Sequence, residues 1–152
     1  MKEFIKFIIF FLFLVIEGCS KLPDLGNGYR LTSNGKYTLK IVNHKNTILI
    51  GTHILDYAFD STFIVASQRP RESIPNFFSM TYSESLRAFE DSDFIQYWII
   101  NKKEANDPRL DTAAMIVHYS NVYGPFRKEE YLLNRLNLGV PDNLQLNGME
   151  RK

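Results

Sequence analysis

The chain has 152 residues, with 18 basic against 17 acidic side chains and a single cysteine, Cys19. A net charge of +1 with no basic cluster gives no field to attract nucleic acid, so that partner class is excluded. One thiol excludes an internal disulfide framework, so the fold must rest on an apolar core, and this length suits one domain.

The N-terminus begins Met1-Lys2-Glu3-Phe4-Ile5-Lys6, followed by an uncharged apolar run from Phe7 to Ile16. A basic start and a short apolar core have the layout of a signal peptide. A membrane-spanning helix needs about 20 apolar residues, and Glu17 and Gly18 close this run too early. Ile16-Glu17-Gly18-Cys19 resembles a bacterial lipobox: a branched aliphatic, a variable position, a small residue and cysteine. That resemblance implies a diacylglyceryl group on Cys19 and cleavage before it. Glu17 departs from the usual variable position. The competing reading is an ordinary secretory signal with a free thiol. Two fatty chains suffice for stable anchoring, at roughly 0.8 kcal/mol per buried methylene. The expected organisation is a signal peptide over 1–18, lipidated Cys19 and a tether over 19–28, one domain over 29–141, and a loose tail over 142–152. The expected location is the outer side of a bacterial envelope membrane.

From Tyr29 the sequence alternates, with a turn signal at Asn34-Gly35. A three-residue loop, Ser33 to Gly35, sets Leu31 against Tyr37 and Tyr29 against Leu39, sorting apolar from polar faces. A further turn is predicted at Asn43 to Asn46. A second hairpin, with Asp60-Ser61-Thr62 as its loop, sets Phe59 against Phe63 and Tyr57 against Val65. The stretch Tyr29–Ser67 therefore reads as a meander of about four antiparallel strands. Arg69 to Phe78 carries two prolines and reads as a loop. Thr81-Tyr82-Ser83-Glu84 is a capping box, opening a helix from Tyr82 to about Asp91. Gln96 to Lys102 is a strand, Glu104 to Asp111 a loop, and Ala113 to Tyr119 a strand that Val122 and Tyr123 extend, with a helix as the alternative for so short an apolar run. The acidic start Glu129-Glu130 and the stop Gly139-x-Pro141 bound a second helix with Tyr131, Leu132, Leu136 and Leu138 as its apolar residues.

Tyr97-Trp98-Ile99-Ile100-Asn101-Lys102, Val122-Tyr123-Gly124-Pro125, Glu129-Glu130-Tyr131 and Leu138-Gly139-Val140-Pro141 occur in that order. Together they resemble a family of small bacterial lipoproteins classed as a domain of unknown function. Asn101 stands where the family usually has Asp, and Phe126 where it usually has Leu. The resemblance implies an exported lipoprotein with a small α+β domain, and no particular activity.

No catalytic constellation emerges. His44, His53 and His118 lack metal-ligand spacing, since His53 and Asp56 lie three apart on a strand and point to opposite faces. No metal site and no cofactor are expected. Ser33-x-x-Lys36 falls on a hairpin tip without the companion motifs of penicillin-binding enzymes. Asp56, Asp60, Glu84, Glu90, Asp91 and Asp93 are the carboxylates from which a glycosidase pair would be drawn. Trp98, Tyr97 and Tyr123 are candidates for a binding surface. The competing reading places them in a core, because both faces of the Gln96–Lys102 strand are apolar.

The expectation is an α+β domain: a mainly antiparallel sheet of five or six strands with two short helices on one face. Its function is expected to be non-enzymatic binding of a protein or small molecule by a membrane-anchored module. The alternatives are an envelope hydrolase with a carboxylate pair, and a membrane-held immunity or inhibitor protein.

Overall fold

The computed structural model describes residues 22–35, 38–112 and 116–147. Strands β1 (Asp24–Gly26), β2 (Tyr29–Thr32), β3 (Lys40–Val42) and β4 (Ile48–Ile50) form one antiparallel sheet in chain order. Strands β5 (Ile54–Phe59), β6 (Phe63–Gln68), β7 (Gln96–Asn101) and β10 (Val122–Phe126) form a second sheet, ordered β10-β7-β6-β5. A two-stranded ribbon joins β8 (Pro108–Asp111) to β9 (Ile116–Tyr119). Helix α1 spans Tyr82–Asp91 and helix α2 spans Lys128–Leu138. The protein is thus an α+β fold of antiparallel sheets, with the strands divided among three sheets.

The second sheet is the middle layer. On one face Ile64, Ala66 and Ile100, with half-buried Trp98 and Val122, meet Leu25, Tyr29, Leu31, Ile41 and Ile50 of the first sheet. On the other face Phe63, Val65 and Ile99, with half-buried Tyr97 and Tyr123, meet Tyr131 of α2 and Val140, Leu144 and Leu146 beyond it. This explains why all six residues of β6 are buried and why β7 is apolar on both sides.

The β2–β3 hairpin keeps the expected sorting of faces but closes with a longer loop. Leu31 lies opposite Ile41, and Arg30 opposite Val42. Relative to the expected pairing, the register moves by an even number of residues, so Tyr29 and Leu31 stay on the buried face. Tyr37 lies outside the described residues. Ser33 and Thr38 close the loop: their hydroxyls are 2.9 Å apart, and each donates to the carbonyl of Gly35 at 2.7 Å.

The second hairpin corrects the predicted register by one residue. Phe59 pairs with Ile64 and Tyr57 with Ala66, rather than with Phe63 and Val65. The cause is Asp60, whose carboxylate accepts from the amides of Thr62 (2.6 Å) and Phe63 (2.7 Å) and draws Phe63 into the turn. Because β6 is buried on both faces, face sorting could not report this slip. The turn at Asn43–Asn46 forms as predicted: the Asn43 side chain accepts from the amides of Lys45 and Thr47, both at 3.0 Å.

Three further boundaries move. The segment read as a tether supplies β1, and Leu25 is completely buried between the sheets. Lys102 holds it there: buried Nζ donates to the Leu25 carbonyl at 2.6 Å and to that of Asp60. The stretch read as a polar loop contains β8. The start of the tail also packs, with Leu144 and Leu146 in the core. Arg135 secures this end, donating to the Leu144 carbonyl at 2.6 Å and to that of Pro141 at 2.9 Å. A chain of amides ties the base of the ribbon to both sheets. Asn43 donates to Asn106 (2.9 Å), Asn106 to Asn121 (2.6 Å), and fully buried Asn121 to Tyr29 Oη (2.8 Å) and the Asn101 carbonyl (3.0 Å).

Candidate functional site

Cys19 lies outside the described residues. The three aromatic candidates do not assemble into one surface. Trp98 faces the intersheet core, where its Nε1 donates to Gln68 Oε1 at 2.8 Å. Tyr97 and Tyr123 lie on the opposite face, beside α2. Tyr97 stacks on Tyr131 with centroids 5.0 Å apart. Tyr123 Oη donates to Glu104 at 2.5 Å. Adjacent residues of a strand point to opposite faces, which separates Trp98 from Tyr97 by the thickness of the sheet. Gly124 allows β10 to lie this close: at φ +126°, an added Cβ would stand 2.7 Å from the Tyr97 carbonyl and 2.9 Å from the Trp98 ring.

Among the carboxylate candidates, Asp60 shapes its turn, Asp56 accepts from Asn147, and Glu84 accepts from the Thr81 amide at 2.9 Å and hydroxyl at 2.6 Å. Those last bonds hold the Glu84 carboxyl below its ordinary pKa. His44 and His118 are exposed. Among the described residues no group of three or more His, Cys, Asp and Glu side chains could hold a metal ion.

The structure brings together a different set of residues. Between β4 and β5 the chain crosses from the first sheet to the second, and His53 takes a left-handed conformation, φ +73°. Its ring is buried. The Pro-rich segment after β6 then folds into two 3-10 turns, Arg71–Ser73 and Phe77–Ser79, which bring Arg71 against that ring. Arg71 Nε donates to His53 Nε2 at 2.8 Å, while His53 Nδ1 meets Thr52 Oγ1 at 2.8 Å. With Nε2 accepting, the imidazole is the neutral Nδ1–H tautomer, donating to Thr52. Burial, and secondarily the Arg71 charge, lower the His53 pKa.

Helix α1 closes the site. Its capping box forms as predicted, with the Glu84 amide donating to Thr81 Oγ1 at 3.4 Å as Glu84 reaches back. Phe89 is its buried residue and lies against His53, ring centroids 4.6 Å apart. Arg69 caps the far end, donating from Nη1 to the carbonyls of Phe89 (2.8 Å) and Glu90 (3.2 Å). A cavity of about 170 Å³ remains, lined by His53, Arg71, Phe77, Tyr82, Ser85, Leu86 and Phe89. The Arg71 guanidinium stands 5.4 Å from the Phe77 ring centroid. Larger depressions on other sides of α1, such as one bordered by Met80, Ala88 and Asp91, are open grooves.

Sequence reasoning missed this site because its parts are 36 residues apart, from His53 to Phe89. The signal available was Arg69-Pro70-Arg71 followed by Phe77-Phe78: two cations and two aromatics in a loop that no periodicity explains.

The chain is therefore a small α+β domain of two packed antiparallel sheets, with an arginine–histidine cavity where helix α1 meets the end of the second sheet. It belongs to the family described as protein of unknown function (DUF3997), which matches residues 26–150. No curated protein and no solved structure matches the chain. Among the described residues no helix is long and apolar enough to cross a membrane.

Proposed function

We propose that this protein is a lipid-anchored component of the bacterial cell envelope that acts by binding, with Cys19 as its attachment to the membrane. The anchor rests on the lipobox-like Ile16-Glu17-Gly18-Cys19 after an apolar run. The binding role rests on one observation: the Arg71 guanidinium is held in place by a buried neutral histidine at the mouth of an apolar cavity. Such a preset cation lowers the ordering cost that a ligand would otherwise meet. Asp56, Asp60 and Glu84 accept bonds that shape the fold, which favours binding over a carboxylate-pair hydrolase.

The anchor is tested by mass spectrometry of the native N-terminus and by fractionating cells that carry Cys19→Ala. The expected mature chain starts at a diacylglyceryl-modified Cys19, and the variant leaves the membrane fraction. A native chain that starts at Met1 in the cell interior would overturn the placement. The binding role is tested separately, by whether wild-type protein but not Arg71→Gln takes up any small anion.

A further inference from the structure

Three properties of the cavity beside Phe89 narrow what it can hold. The first is the donor. Arg71 spends Nε on His53, and its two Nη groups make no hydrogen bond or ion pair with any described residue. A guanidinium fixed through Nε presents its Nη pair as a planar fork, the shape that matches a carboxylate in bidentate fashion.

The second is charge. Arg71 is the one cation among the residues lining the cavity; Arg69 stands behind that lining, 5.3 Å from the Phe89 ring centroid, with Nη1 donating to the Phe89 and Glu90 carbonyls. The Nε2 lone pair of His53 is already occupied by Arg71, so the ring adds no second cation. Glu72, near enough to act on His53, is acidic. The cavity wall itself thus presents one positive charge, that of Arg71. A dianion would carry a second negative charge that no other cation of the lining pairs, beside the rings of Phe77 and Phe89, where burial of poorly paired charge is costly.

The third is volume and lining. The cavity holds about 170 Å³ between Phe77, Tyr82, Leu86 and Phe89. An apolar cavity of about 150 Å³ accommodates benzene. The Ser85 hydroxyl donates to the Tyr82 carbonyl at 2.9 Å, so it is not free to donate to a polar ligand body.

We infer that this cavity binds a monocarboxylate, its acid group on the Nη edge of Arg71 and its single aromatic or branched aliphatic group among Phe77, Leu86 and Phe89. The inference rests on the binding role proposed above and specifies its ligand. Two sources share this chemistry: a free small organic acid, and the C-terminal residue of a peptide ending in an apolar side chain.

Isothermal titration of the full-length protein tests it. The probes are benzoate, 3-phenylpropionate, the neutral 3-phenylpropionamide, acetate, inorganic phosphate, and Gly-Gly-Phe with a free or amidated terminus. Benzoate or 3-phenylpropionate should bind saturably, at least about tenfold tighter than the amide or acetate, as expected for a charge-assisted fork plus one buried ring. Arg71→Gln should lose about tenfold in affinity, with circular dichroism confirming that it folds. Tyr82→Ala alters an exposed rim residue, 83% accessible, and should weaken binding a few-fold without disturbing the fold. Should Arg71→Gln fail to fold, Tyr82→Ala and the acid–amide pair carry the test. Tighter binding of free Gly-Gly-Phe than of 3-phenylpropionate identifies a peptide terminus; the reverse identifies a free acid. If phosphate or acetate binds as well as the aromatic acids and is lost in Arg71→Gln, the ligand class falls while the binding role stands. If no anion binds the folded wild-type protein, both fall.

Discussion

Helices α1 and α2 are nearly the same length, 10 and 11 residues, and each begins with a glutamate reaching back to an amide: Glu84 to Thr81, and Glu130 to Arg127 at 3.0 Å. Their tertiary roles differ. Helix α2 lies on a sheet face, where Tyr131 is wholly buried against Tyr97 and half the core gathers around it. Helix α1 lies at the end of the second sheet, where Phe89 packs on His53, and leaves a cavity beside the contact. Both helices are capped locally, α1 by Thr81 and Glu84 at its start, α2 by Glu130 at its start and left-handed Gly139 at its end. Packing makes one a structural wall and the other one side of a cavity. The side of the molecule with fewer buried contacts is where local opening is least costly, and binding sites are drawn from such regions.

The leucines of α2 sharpen the contrast. The apolar residues named for this helix, Tyr131, Leu132, Leu136 and Leu138, do not share one buried face. Instead Tyr131 and Arg135 are buried, and Leu136 is 72% exposed with Leu133 at 58%. Arg135 is drawn inward because its guanidinium satisfies the Pro141 and Leu144 carbonyls and the Tyr131 hydroxyl (3.1 Å), anchoring the C-terminal segment over the core.

Substitutions graded along this contrast can break it. Tyr131→Ala removes a fully buried ring from the sheet face and should destabilise the protein by about 3–5 kcal/mol, read by urea unfolding. Phe89→Ala should cost less, about 2–3 kcal/mol, because its site borders an open cavity that relaxes rather than enclosing a void. Equal losses at the two positions would erase the distinction between wall and cavity side.

A pH dependence should trace to the α1 side. Burial and then Arg71 depress the His53 pKa in the folded state, outweighing the opposing effects of Thr52 and Glu72. Between that lowered value and the unfolded value of 6.5, the unfolded chain binds more protons. Stability from this group is therefore complete above 6.5 and declines as pH falls through the folded pKa. Comparing the pH slopes of wild type and His53→Gln isolates it; identical slopes would show that the ring does not titrate on unfolding.

Thr81→Ala should loosen α1 by about 1 kcal/mol, visible as faster amide exchange confined to Tyr82–Asp91. The smallest effect belongs to Leu136→Gln, within about 0.5 kcal/mol despite loss of a leucine, since that side chain is exposed. A loss above 2 kcal/mol there would mean that this leucine is covered in the working protein.

What could be read from residues alone follows a physical rule. Both helices, the Asn43 turn, most of the antiparallel strands and the two-faced burial of Gln96–Asn101 were legible, because capping, turn chemistry and periodicity act within a few residues; β1 and β8 were not, and Val122–Tyr123, read as extending the strand before it, pairs with β7 in another sheet. The slip in the second hairpin was not. Asp60 chose the turn, and a strand buried on both faces gives alternation nothing to sort. The aromatic surface failed for a related reason: neighbours on a strand diverge, so a run of Tyr97 and Trp98 stocks two separate cores.

By itself the sequence determined the α+β class, the places where helices start and stop, and the lone Cys19 with its lipobox-like setting. Only the tertiary structure decided that Leu25 and Leu144 belong to the core, that Arg135 turns inward, and that His53 and Arg71 meet at Phe89. Caps and turns draw their energy from atoms a few residues apart along the chain. Burial and the fixing of a guanidinium depend on which surfaces meet once three layers have packed, and no local pattern encodes that meeting.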